Sequence, residues 1–173
     1  MANGLAARLF LTVLVVIVMF VNFAGNLFAA DNSKTLELSK AMGQAKLFAG
    51  LTDKERATLM SAAALRHCKE GERIIEQGKS LDRMFVILEG KAEVRINGEL
   101  LATIPEQSLV GEIEFFDMLP AIAEVVIIKE THLIELNNAA LTGLMKKQPR
   151  LGYVLMSEIA RIESQRLRSK DMK

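Results

Sequence analysis

Hydrophobic spacing along the chain changes regime three times. Leu9 to Ala30 contains no charged residue, and its centre, LFLTVLVVIVMFV, is apolar on every face. A polar linker, Asp31 to Lys34, follows. Apolar positions then recur at helical spacing, with Leu38, Met42, Ala45 and Leu47 near one side, which predicts a short helix over Thr35 to Phe48. LFAGLTDKERATLMSAA predicts a second helix. Thr52 or Asp53 can cap it, Glu55 and Arg56 stand in its first turn, and Leu51, Leu59, Met60 and Ala63 supply its apolar contacts.

From Leu65 the period shortens. LRHCKE, ERIIEQ, RMFVILEG, KAEVRING, ELLATI, AEVVIIKE and HLIELN are short runs rich in β-branched or aromatic residues, divided by Glu70-Gly71, Gln77-Gly78, Glu89-Gly90 and Asn97-Gly98. Asn97-Gly98 is a strong two-residue hairpin signal, because both positions must take positive φ. About eight strands with no helical pattern between them predict a mainly β fold, an antiparallel roll or jelly roll with flanking N- and C-terminal helices. After Asn137 the helical period returns. LTGLMKK ends at Gln148-Pro149, since the residue before proline avoids helical angles. The next helix carries a stripe of Leu151, Leu155, Ile159 and Ile162, with Glu158–Arg161 and Glu163–Arg166 paired on its wetter side.

The uncharged N-terminal run has two readings. A membrane-spanning helix needs about 20 mostly apolar residues, whereas a signal peptide has an apolar core of about 7–15 and a small-x-small cleavage site. Cleavage after Ala30 would put Phe28, and after Ala29 would put Leu27, where a small residue is required. An uncleaved anchor is therefore the expectation, with an exported, periplasmic protein as the alternative. Lys34, Lys40 and Lys46 lean the body toward the cytoplasmic side, while FAADNS resembles an exported start. The expected organisation is an anchor or signal over 1–30, a linker and short helix over 31–44, and a folded domain over 45–173.

Composition narrows the function classes. Net charge is +1 and no Lys/Arg block stands out, so nothing suggests a nucleic-acid surface. With one Cys there is no intrachain disulfide framework. His67 and Cys68 are adjacent in a predicted strand and point to opposite faces, so they do not share a metal, and His132 stands alone. Cys68 has no evident base. Glu112 and Glu114 are not set across a cleft as an acid/base pair, and no other catalytic set accompanies them. The reading is a non-enzyme without metal or cofactor.

Within Val110 to Val125, VGEIEFFDMLPAIAEV, Gly111-Glu112 opens a short apolar turn of the kind whose backbone N–H groups can cradle a phosphate. LFAGLTDKERATLMSAA, KEGERIIEQGKSLDRMFVILEGKAEV and GEIEFFDMLPAIAEV together resemble the cyclic nucleotide-binding domain, over roughly Ala45 to Lys170. The resemblance implies a β-roll whose cassette holds the ligand. Gly111, Glu112, Pro120 and Ala123 match the family pattern, and Glu112 matches the Glu that receives the ribose 2′-hydroxyl. Ala121 stands where the phosphate-binding Arg belongs, Glu114 where a small residue accommodates the phosphate, and Ile122 where a small or hydroxylated residue follows the Arg.

Losing one partner of a buried charge pair costs about 2–5 kcal/mol, and Glu114 adds a like charge near the anion. The expected pocket positions, Gly111, Glu112, Ile113, Glu114, Ala121 and Ile122, therefore form a degenerate cassette to which cAMP and cGMP do not bind. The expected function is a membrane-tethered protein-interaction, accessory or regulatory subunit. The expected partners are the membrane through 9–30 and a protein or second copy through the C-terminal helix. A sensor of small molecules or cyclic nucleotides, using the modified pocket, is the alternative.

Overall fold

The computed structural model describes residues 32–171. The chain divides into two compact units, Met1–Glu37 and Leu38–Lys173; of the first, residues 32–37 are described and are helical. The expectation of a membrane location is corrected: among the described residues no helix is long and apolar enough to cross a membrane. Residues 9–30, on which the anchor, the exported alternative and the N-terminal hydrophobic helix all rested, lie outside the described residues.

Helix α1 covers 32–44 and ends where Ala45 turns extended, so Lys46–Phe48 forms a separate 3-10 turn instead of continuing the predicted helix. Leu38, Met42, Ala45 and Leu47 are all buried, as their spacing predicts. Helix α2 (Asp53–Leu59) begins with a capping box: the Thr52 side chain accepts from the Glu55 N–H, and the Glu55 carboxylate accepts from the Thr52 N–H. A 3-10 turn, Met60–Ala62, leads into the sheet.

The strands are β1 (Ala63–Cys68), β2 (Arg73–Ile75), β3 (Arg83–Ile96), β4 (Glu99–Ile104), β5 (Leu109–Val110) and β6 (Glu124–Asn137). All pairings are antiparallel in the order β1-β6-β3-β4, with β2 added to β6 and β5 to β3. Six strands replace the expected eight: two pairs of the seven predicted runs are continuous, and the short β5 lay outside those runs. RMFVILEG and KAEVRI form the 14-residue β3, and AEVVIIKE and HLIELN form the 14-residue β6. Glu89-Gly90 is a bulge within β3, where the β3–β6 register slips repeatedly. Gly90 has φ 105°, and a Cβ there would sit 2.2 Å from Thr131 Oγ1. Asn97-Gly98 is the predicted hairpin, with φ of 52° and 82°.

The middle strands are buried on both faces, and their alternation separates two cores. Met84 and Val86 of β3 and Ile134 and Leu136 of β6 face a helical core with Met42, Phe48 and Leu59. Phe85 and Ile87, with Leu133 and Ile127, face the roll interior, which also takes Cys68, Ile75, Val110 and Ala121. Helix α3 (Glu112–Asp117) lies between β5 and β6. Helices α4 (Asn138–Lys147) and α5 (Pro149–Asp171) follow β6, divided at Gln148 as Pro149 predicts. Leu151, Leu155 and Ile159 are buried in the helical core and Ile162 packs against it. That stripe is thus covered within the chain.

Candidate functional site

The cassette begins at the end of β5. Gly111 N-caps α3 with φ 84°, a left-handed conformation that favours glycine. Space also demands it: a Cβ would lie 2.9 Å from Leu81 Cδ2 and 3.0 Å from Arg83 O. This tight turn drives the first turn of α3 into the body. Glu112 is 4% exposed and Glu114 9%, while Ile113 between them, and Phe116, Met118, Leu119 and Ile122 beyond, are exposed.

Glu112 is held from across the fold. Arg166, in the last part of α5, places Nη1 2.7 Å from Glu112 Oε1 and 2.7 Å from Glu163 Oε1, and its Nη2 donates to the Leu109 carbonyl. One guanidinium thus ties the end helix to both sides of the Gly111 turn, by charge-assisted bonds that use its fork geometry. Burial pushes the Glu112 carboxyl up to about 7; Arg166 pulls against that shift and the neighbouring Glu163 adds to it. Glu163–Arg166 was legible as a helical pair. The reach to Glu112 was not, because 54 residues separate the partners.

The position expected to carry the phosphate-binding Arg is closed. Ala121 is 2% exposed and belongs to the roll core. Its N–H donates to Lys79 O at 2.9 Å and its carbonyl accepts from Gly78 N–H at 2.7 Å, so the β2–β3 turn is laced over it. Phe116 and Ile122 do not fill the site, since both are exposed. The Glu114 side chain has no hydrogen bond or ion pair among the described residues. It lines a different cavity of about 450 Å³ between α3, the end of the β2–β3 connection and the start of α4. The six expected positions are therefore split: Gly111, Glu112 and Ala121 turn toward the body, Glu114 lines that cavity, and Ile113 and Ile122 face outward.

The remaining candidates also find their places. Cys68 is buried, and burial pushes its thiol up to about 11, so little thiolate forms near neutral pH. His67 points out of the sheet opposite to Cys68, as adjacency predicts. His132 is not alone: it is the register partner of His67, and their rings stack with centroids 4.6 Å apart. Among the described residues no group of three or more His, Cys, Asp or Glu could hold a metal ion.

An antiparallel roll with an inserted cassette helix and flanking helices defines the class, and comparison with known proteins agrees. Residues 65–148 match the family model of the cyclic nucleotide-binding domain, and that stretch belongs to the family. The cAMP-dependent protein kinase regulatory subunit of Debaryomyces hansenii is 29% identical over 99 residues, covering 57% of this chain and 22% of that protein. A Pycsar effector protein of Xanthomonas perforans is 28% identical over 104 residues, covering 60% of this chain and 34% of that protein. The chain thus matches well under half the length of either relative. Among solved structures, a cyclic nucleotide-binding domain from Methylobacillus flagellatus superposes with a TM-score of 0.66 at 22% identity, covering 78% of this chain and 79% of that one.

Proposed function

We propose that this chain is a regulatory or accessory domain that keeps the cyclic nucleotide-binding fold but works by protein interaction, without taking up cAMP or cGMP. The carrying observation is that the two cassette positions needed for ligand are already engaged from within. Arg166 occupies the carboxylate of Glu112, and Ala121 is packed beneath the β2–β3 turn. A cyclic phosphate entering here has no arginine at position 121 to meet. A ribose hydroxyl must compete with an intrachain ion pair for Glu112. The names of the two curated relatives, a regulatory subunit and an effector protein, are consistent with a domain that acts on other polypeptides. The outward apolar residues of the cassette, Ile113, Phe116, Met118 and Ile122, are the surface this reading offers to a partner.

Thermal-shift titration tests the reading. A ligand at a hundred times its dissociation constant stabilises the native state by about 2.7 kcal/mol, so cAMP and cGMP at about 1 mM shift the midpoint clearly if they bind in the micromolar range. No shift is expected. A saturable rise in midpoint with either nucleotide sinks the proposal.

A further inference from the structure

The 450 Å³ cavity beside α3 lies within the size range of small-molecule sites, about 300–1,000 Å³. Its wall is mixed. Leu81, Phe115, Met118 and Leu119 supply apolar surface, and Ser80 and Thr142 supply hydroxyls. One charged residue lines it, Glu114, which is 9% exposed and whose carboxylate has no hydrogen bond or ion pair among the described residues. The residue is largely covered, yet its carboxylate oxygens are not sealed from solvent, so they remain open to a ligand.

A second group in the same wall is also unmatched. Asn138 Oδ1 is buried without a hydrogen-bond partner. Its Nδ2 lies 3.5 Å from the Leu81 carbonyl, which fixes the amide orientation and leaves the oxygen as the orphan. Both groups are acceptors, and the side-chain donors of the wall are the Ser80 and Thr142 hydroxyls and the Asn138 amide. Two of the first N–H groups of α4 are already engaged. The Asn138 N–H donates to Asp82 O, and the Ala140 N–H donates to the capping Asn137 Oδ1. No basic residue lines the cavity, and two basic residues of neighbouring sequence are paired, Lys79 to Glu76 at 2.5 Å and Arg83 to Asp82 at 2.8 Å.

We infer that the α3–α4 cavity is a binding site for a small organic cation, an ammonium or amidinium on an apolar body, with Glu114 as its counter-ion. The apolar body lies against Leu81, Phe115 and Met118. The charged end meets Glu114. The site goes beyond the interaction reading and shares with it only Met118 of the surface offered to a partner.

Benzamidinium, with benzyl alcohol and benzoate as neutral and anionic controls, tests it by calorimetry and amide chemical-shift mapping on the full chain. Benzamidinium is expected to saturate, about 10- to 100-fold tighter than benzyl alcohol, as a charge-assisted bond implies. Benzoate is expected not to bind. Glu114→Gln should weaken benzamidinium at least about tenfold while its thermal midpoint holds, because the carboxylate has no partner within the chain to lose. Contacts from the benzamidinium ring protons to Phe115 and Leu81 in the unmodified chain supply a readout that needs no variant. Equal binding of benzoate, or no saturable response to benzamidinium up to about 10 mM, overturns the assignment. If N-acetyl-arginine amide binds through Glu114 and benzamidinium does not, the cation belongs to a polypeptide and the small-molecule assignment falls. Cyclic-nucleotide binding, were it seen, would leave these outcomes unchanged, so the two claims fail separately.

Discussion

Arg166→Ala isolates the contact on which the site account depends. The substitution leaves Glu112, 4% exposed, without its ion-pair partner and the Leu109 carbonyl without its donor. Breaking a buried pair by removing one partner costs about 3–5 kcal/mol. The Arg166 side chain is 29% exposed, so water reaches the space it leaves, and about 2–3 kcal/mol is the better expectation at alkaline pH. The loss depends on pH in a defined sense. The Glu112 carboxyl is raised from 4.5 to about 7 in the fold. A raised folded value means that the native state holds the proton longer than the unfolded state. The group's contribution to stability is therefore favourable at low pH and falls as pH rises from 4.5 to about 7. Without Arg166 the attraction that restrains this shift is gone and the folded value climbs further. The two stability curves then run close below about pH 7 and separate above it, by at most about 1.4 kcal/mol per pH unit. Urea unfolding near pH 6 and pH 8.5 should show a loss of about 1 kcal/mol at the lower pH, from the carbonyl bond, and about 2–3 kcal/mol at the higher. Glu112→Gln in the same background should cancel most of the difference. Equal losses at both pH values, or additivity of the two substitutions, refutes the pairing.

Other substitutions report on different parts of the fold. Ala121→Arg combined with Glu114→Ala restores two residue types of the family cassette, yet the new side chain must open the laced β2–β3 turn. A loss of about 1–3 kcal/mol and no cyclic-nucleotide binding are expected in unfolding and calorimetric titrations. Gly90→Ala places a methyl group against Thr131 at a φ of 105°, and a loss of at least about 2 kcal/mol in urea unfolding is expected. Native Cys68 should resist iodoacetamide at mildly alkaline pH and react in denaturant, as mass spectrometry would read; fast native alkylation contradicts its burial and raised thiol pKa. Arg150 and the Thr52 cap hold the Glu55 carboxyl down at about 2. Its support for the α2 start is present above pH 4.5 and is lost as pH falls toward 2, a dependence that Glu55→Gln should abolish in acid titrations.

The fold was legible where local chemistry decides it. Thr52 with Glu55 announces a helix start, Asn97-Gly98 a hairpin and Gln148-Pro149 a helix break, and each stands where the residues put it. Glu89-Gly90 misled because glycine serves a turn and a bulge equally well; only the partner strand, with Thr131 against Gly90, decides between them. In Val110 to Val125 the missing phosphate arginine followed from the resemblance to the family cassette. Arg166 was invisible as a site residue, since its pairing with Glu112 depends on where α5 ends in space. The cavity around Glu114 escaped for the same reason, being built from three separate stretches of chain. His132 likewise gained a stacked partner only through the β1–β6 register.

The central claim is that the cassette is engaged from within and leaves cyclic nucleotides unbound. Amide chemical-shift mapping of the labelled chain with cAMP at about 1 mM addresses it at the residues concerned, since saturation at that level reports dissociation constants well below it. The account predicts that Gly111, Glu112 and Ala121 do not move, nor the side-chain signals of Arg166. Saturable shifts at Gly111, Glu112 and Ala121, with Arg166 released from Glu112, would contradict it.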